Sequence, residues 1–118
     1  MRYVHKKRHA AVTAALDDSS KIKLKEGLGT IITRIPGKTE AVTMIGLLGG
    51  YDLYLNGLPL KAGAYVEVKT FKETAREYKE AVNAGIFELL AETLSIPPDN
   101  IYITYYGQDE WGCNGGLL

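Results

Sequence analysis

Hydrophobic and polar positions change their period several times along the chain, and the changes mark the elements. Ala64-Tyr65-Val66-Glu67-Val68-Lys69-Thr70-Phe71 alternates strictly. Tyr65, Glu67 and Lys69 fall on one face and Val66 and Val68 on the other, as a half-buried strand requires. Ala75, Tyr78, Val82, Ile86, Leu89 and Leu90 then recur at helical spacing and predict a long helix ending near Leu94. Two capping boxes compete for its start, Thr70 with Glu73 and Thr74 with Glu77. Pro97-Pro98-Asp99-Asn100 stops the helix and turns the chain. Ile101 to Gly107 follows as a final strand of large and branched residues, and a glycine-rich tail closes the chain.

The first half carries the same succession in weaker form. Arg2 to His9 is predicted as a strand of poor pattern, since neither face is consistently apolar, which suits an exposed or edge position. Ala10 to Ser20 reads as a connection. Ser19 or Ser20 caps a helix whose apolar face is Ile22, Leu24, Leu28, Ile31, Ile32 and Ile35. Gly27 and Gly29 weaken its interior by up to about 1 kcal/mol each relative to alanine, and Pro36-Gly37 ends it. Ala41 to Leu48 is an apolar run of strand length, Gly49-Gly50 breaks it, Asp52 to Leu55 alternates, and Asn56-Gly57 is a strong hairpin signal. A strand-helix-strand unit is thus present twice. Each unit places its strands parallel through a right-handed crossover. Together they predict an α/β (α+β) fold, a four-stranded mixed sheet with two helices on one face.

Composition narrows this picture. The chain has 118 residues, enough for one domain, 1–118, with a modest core. Fourteen lysines and arginines balance fourteen acidic residues, so no whole-chain field argues for nucleic acid or an acidic membrane. Cys113 is the single cysteine, which excludes an intrachain disulfide and a cysteine zinc site. His5 and His9 lie four apart, but Lys6-Lys7-Arg8 between them would repel a metal, so no metal or organic cofactor is expected. No apolar run reaches the roughly 18 residues of a membrane helix. The basic start before Ala10 to Leu16 is too weakly hydrophobic for a signal peptide. The expectation is a cytoplasmic protein, or one secreted without a signal peptide.

Pro97-Pro98-Asp99-Asn100-Ile101-Tyr102-Ile103-Thr104-Tyr105-Tyr106, followed by Trp111-Gly112-Cys113-Asn114-Gly115, resembles the C-terminal signature of the macrophage migration inhibitory factor and phenylpyruvate tautomerase family. The helix from Arg76 through Glu92 resembles that family too, and the similarity runs from roughly Lys23 to Leu118. The resemblance implies a homotrimer whose neighbours cover the bare sheet face. It also implies keto–enol isomerisation of a small aromatic 2-oxo acid such as phenylpyruvate. In that family the general base is an N-terminal proline, exposed by removal of methionine. Here the matching position is Arg2, whose guanidinium stays protonated. Met1 should be retained before so large a residue, and its α-amine, of ordinary pKa about 7.7–8.0, would sit one residue too far out. The rest of the implied site is partly kept. Lys38 matches the lysine that approaches the substrate carboxylate, Tyr102 the tyrosine lent by a neighbouring subunit, Thr104 an asparagine, and Phe71 an isoleucine whose backbone lines the site. As a side chain, Phe71 reads rather as core. The cysteine pair tied to thiol oxidoreductase activity would fall near Gly63 and Val66, so that activity is not expected. Cys113 replaces a tryptophan, and Tyr105, Tyr106 and Trp111 suit an interface or an aromatic pocket. Two functions follow: a tautomerase with weak or lost activity, or a non-catalytic trimeric binding or cytokine-like protein.

Overall fold

Strand pairing is organised about the antiparallel contact of the first strand with the fifth. The structure, a computed structural model, describes residues 6–118, with side chains from Ala10 onward. Its elements are β1 (Lys6–Val12), α1 (Asp18–Ile32), β2 (Thr43–Leu48), β3 (Tyr54–Leu55), β4 (Leu58–Pro59), β5 (Ala64–Phe71), α2 (Arg76–Leu94), β6 (Ile101–Gln108), β7 (Gly112–Cys113) and β8 (Gly116–Leu117). The main sheet has the order β2-β1-β5-β6. β1 runs parallel to β2 and β5 parallel to β6, while β1 and β5 meet antiparallel with Ala10 opposite Val66. The two strand-helix-strand units are therefore joined edge to edge by their first strands.

One sheet face is dry. Ala10 and Val12 of β1, Ala64, Val66 and Val68 of β5 and Ile101 of β6 are buried with Leu24, Leu28 and Ile32 of α1 and Val82, Ile86 and Leu90 of α2. The same alternation sends Met44 and Leu48 of β2, Tyr65, Glu67, Lys69 and Phe71 of β5, and Tyr102, Thr104 and Tyr106 of β6 to the face without helices. Met44 is 68% exposed and Tyr102 63%, large apolar surface that a sheet normally covers.

Several boundaries differ from expectation. Of the first strand predicted over Arg2 to His9, Arg2 to His5 lie outside the described residues. The strand extends instead through Val12, so Ala10 to Val12 are core strand rather than connection. Its far end is stitched to the loop before β5, where Thr13 Oγ1 donates to Lys61 O at 3.0 Å and accepts from Gly63 N at 3.1 Å. α1 is capped by Asp17, whose Oδ1 accepts from Ser20 N at 2.7 Å, rather than by Ser19 or Ser20. That bond holds the Asp17 carboxyl below its usual range. The helix stops at Ile32, and Ile22 is exposed instead of facing the core. β2 begins at Thr43 because Glu40–Val42 form a 3-10 turn. Neither capping box starts α2. β5 uses the chain through Phe71, Lys72 turns in the left-handed region at φ 63, and the helix begins at Arg76 with Ala75 before it. Glu73 serves this entry differently: Oε1 accepts from Lys79 Nζ at 2.9 Å and from Thr74 N at 3.2 Å. These bonds, the one from Lys79 foremost, lower its pKa. The C-terminal tail is a hairpin, β7 with β8, turned by Asn114 and Gly115 at φ 51 and 81. It uses the turn chemistry of Asn56-Gly57 between β3 and β4.

Gly27 lets the helices close, since a Cβ there would lie 2.5 Å from Leu89 Cδ1. Arg34 fastens the same seam, its Nη1 donating to Ala81 O at 2.8 Å. At the end of α2, Ser95 adopts φ 55 and ψ 38, and Ile96 N reaches back to Leu90 O. A left-handed residue other than glycine is strained by roughly 1–2 kcal/mol, so Ser95→Gly should stabilise the fold by about 1 kcal/mol in urea denaturation. An unchanged or lower midpoint would show that the Ser95 side chain contributes something the backbone geometry does not reveal.

Candidate functional site

The candidate residues gather at two ends of the sheet. Lys38 follows a tight turn in which Lys38 N bonds Ile35 O at 3.1 Å, with Pro36 fixing one φ and Gly37 at φ 80. That is the geometry of a type II turn, for which proline followed by glycine is the favoured pair. It places Lys38 just before β2, whose first residue, Thr43, pairs with Lys6 at the start of β1. The C-terminal end of β5, with Phe71, lies at this same end, since β1 and β5 run antiparallel. Lys38 is half-buried, and among the described residues its ammonium has neither an ion pair nor a hydrogen bond. Desolvation by burial lowers its pKa from the ordinary 10.5.

Phe71 is not core. It stands half-buried on the bare face, outside the apolar cluster, with Lys72 Nζ 5.4 Å from its ring centroid. The reason is parity: Val66, Val68 and Thr70 point to the helices, so Phe71 points away.

Tyr102 lies at the other end. It is the second residue of β6, opposite Tyr65, whereas Phe71 pairs with Gln108. Tyr102 lies six residue steps along β6 from the Phe71 level, about 20 Å at the usual rise. Beside Tyr102 an apolar pocket of about 150 Å³ is lined by Leu53, Tyr54, Leu60 and Tyr65. Thr104 lies between the ends, opposite Glu67, with Oγ1 3.5 Å from Val66 O. One chain thus brings Lys38 and Phe71 to one end and holds Tyr102 away from them. Arg2 and Met1 lie outside the described residues, as does His5; the His9 side chain is likewise undescribed.

Of the aromatic trio, Tyr105 faces the helices and donates its hydroxyl to Asn83 Oδ1 at 2.8 Å, whereas Tyr106 and Trp111 border the bare face. Lys69 Nζ lies 5.8 Å from the Tyr106 ring centroid. The alternation of β5 put Lys69 on this face, but nothing in the sequence paired it with Tyr106. Cys113 is a half-buried free thiol in β7. Among the described residues no group of three or more His, Cys, Asp or Glu side chains is arranged to hold a metal, and no helix is long and apolar enough to cross a membrane.

No family sequence model matches the chain, and no curated protein sequence matches it. Solved structures do. MIF2 of Leishmania major superposes with a TM-score of 0.88 at 24% identity, covering 97% of each chain. The macrophage migration inhibitory factor homologue of Prochlorococcus marinus superposes at 0.81 with 23% identity, over 94% of this chain and 97% of the other. Pt0534, solved after inactivation by 2-oxo-3-pentynoate, superposes at 0.79 with 21% identity over 93% of both chains. The chain has the fold of the macrophage migration inhibitory factor-like proteins.

Proposed function

We propose that the chain is a tautomerase-family protein that works as a homotrimer and takes a small aromatic 2-oxo acid, such as phenylpyruvate, into a pocket at the subunit boundary. The observation that carries this reading is the separation within one chain of exposed Tyr102 from half-buried Lys38, which has no ion pair among the described residues. A cation partly withdrawn from water is stabilised by an anion beside it, and a 2-oxo acid supplies a carboxylate. The bare face with Met44, Leu48 and Tyr102 is the surface neighbouring copies would cover, and such packing would carry one chain's Tyr102 to another's Lys38. The inactivation of Pt0534 by a 2-oxo acid supports the substrate class. Phe71 and Thr104 would line the pocket wall. Catalysis in this reading is weak or lost, because Arg2 stands in place of the basic proline and cannot give up its proton. The Arg2 position also favours a second reading, a trimeric binding or cytokine-like protein without catalysis.

The test combines solution mass with phenylpyruvate binding. A trimer that binds phenylpyruvate, and binds it less well as Lys38→Met, supports the reading. A folded monomer would sink it, because Tyr102 would then have no neighbour to serve. Affinity should also fall as pH rises toward 10.5, since the bound anion needs Lys38 charged. The stability linkage has the opposite sense. Burial lowers the folded pKa, so between the folded and unfolded values the unfolded chain binds more protons, and the Lys38 penalty on folding fades as pH rises through that window. Lys38→Met should flatten both profiles, measured by titration calorimetry and by urea denaturation against pH.

A further inference from the structure

Arg34 stands four residues before Lys38, just past the end of α1, and its side chain crosses to α2. Its Nη1 donates at 2.8 Å to Ala81 O, a carbonyl that helix geometry already pairs with the amide of Gly85. Gly85 makes this approach possible. A Cβ there would lie 2.7 Å from Arg34 Nη1 and 3.1 Å from its Cζ, so a side chain at this position would displace the guanidinium. Gly85 is buried in the middle of α2, where glycine is the poorest helix former after proline. Its presence weakens the helix locally and leaves room for one side-chain contact.

That contact is passed to Lys38 by a short run of backbone bonds. Arg34 N bonds Ile31 O at 3.0 Å, Ile35 N bonds Ile32 O at 3.1 Å, and Lys38 N bonds Ile35 O at 3.1 Å. Ile35, between them, is buried in the core. On the far side of Lys38, Thr43 Oγ1 donates to Thr39 O at 2.7 Å, a local bond. Among the described residues, the bond from Arg34 is the only side-chain hydrogen bond that ties the stretch 33–42 to a distant element. We infer that Arg34, lying over Gly85, is a positioning residue for Lys38: it fixes the turn that brings the ammonium to the carboxylate of a 2-oxo acid. The inference rests on the reading of Lys38 as the partner of that carboxylate. A lysine reaches its target on a flexible four-carbon stem, so the contact depends on where its backbone is held. A shift of about 1 Å takes a charge-assisted hydrogen bond out of its range.

The experiment measures phenylpyruvate binding by titration calorimetry and stability by urea denaturation, on the full-length protein in its native assembly. Arg34→Met removes the guanidinium. Gly85→Ala keeps it but pushes it from the carbonyl, while improving helix propensity. Each should weaken phenylpyruvate binding about tenfold, the scale of one hydrogen bond to a charged group. Gly85→Ala should do so with a urea midpoint no lower than that of the parent, whereas a merely structural role would make affinity follow stability. The double variant should bind no more weakly than Arg34→Met alone, because both changes act on one contact. Unchanged affinity in either single variant, additive losses in the double variant, or losses of affinity that track losses of stability would overturn the inference, with Lys38→Met still weakening binding. Parent-like binding by Lys38→Met would instead overturn the Lys38 reading, and this inference with it.

Discussion

Arg2→Pro, isolated with Met1 removed, should convert phenylpyruvate between its enol and keto forms at least about a hundredfold faster than the parent protein. That is the lower range for a positioned general base. The two residues differ in one decisive respect. The guanidinium holds its proton at every working pH, whereas an N-terminal secondary amine, desolvated among cations, releases it near neutrality. The rest of the proposed pocket would already be in place. Lys38 is half-buried with no ion pair among the described residues, and Phe71 stands at the same sheet end. The measurement is ultraviolet absorbance of the enol, on protein whose N-terminus has been read by intact mass. Adding Lys38→Met should remove most of the gain. A verified proline terminus with no gain would mean that the pocket itself no longer positions a 2-oxo acid, and the non-catalytic binding reading would take precedence. A parent already active with Met1 in place would show that another base operates.

Ile86→Ala should be the most damaging single truncation of the fold, costing about 2–5 kcal/mol. Ile86 is completely buried where α2 meets the sheet, within the cluster that includes Val66, Val68 and Leu28. Its loss leaves a cavity that rigid strands on one side and a second helix on the other cannot collapse to fill. Against a total stability on the order of 5–15 kcal/mol, that is enough to leave the variant partly unfolded at physiological temperature. Ile22→Ala is the matched control. Ile22 is 55% exposed, so the same change in composition should cost no more than about 0.5 kcal/mol. Urea denaturation of the two variants beside the parent decides the matter. Equal losses would contradict the core as described.

The sequence disclosed β5 to the residue, because its alternation is complete and both ends fall at sharp changes of pattern. It disclosed the body of α2 through Val82, Ile86 and Leu90, but not its start. Threonine and glutamate at capping spacing are only local preferences, and here β5 claims Thr70 while Glu73 turns toward Lys79. β1 was hard to read because strand assignment leans on apolar alternation. The basic run Lys6-Lys7-Arg8 suggested an edge, while pairing on both sides puts this strand inside the sheet. The C-terminal hairpin carried the Asn-Gly signal but lacked flanking alternation, having Cys113 and Gly116 where Asn56-Gly57 has leucines. The candidate site was legible only through family resemblance. Lys38, Phe71 and Tyr102 share no spacing rule, and the chain itself does not bring the three together. That Phe71 faces outward followed from the parity of β5, which outweighs the general tendency of phenylalanine toward the interior.

The antiparallel join of β1 to β5 also governs the order in which this chain can acquire its structure. During synthesis β1, α1 and β2 emerge first and can form a parallel pair under one helix. One edge of β1 then stays open until Ala64 to Phe71 have been made, because its partners are residues such as Val66 and Val68. Contacts so distant along the chain must meet the entropy of closing a long loop before they gain anything, which slows folding. The half-made molecule meanwhile offers an unpaired strand edge to any other half-made copy. The edge that later unites the two halves is thus the one an incomplete chain leaves open to another copy.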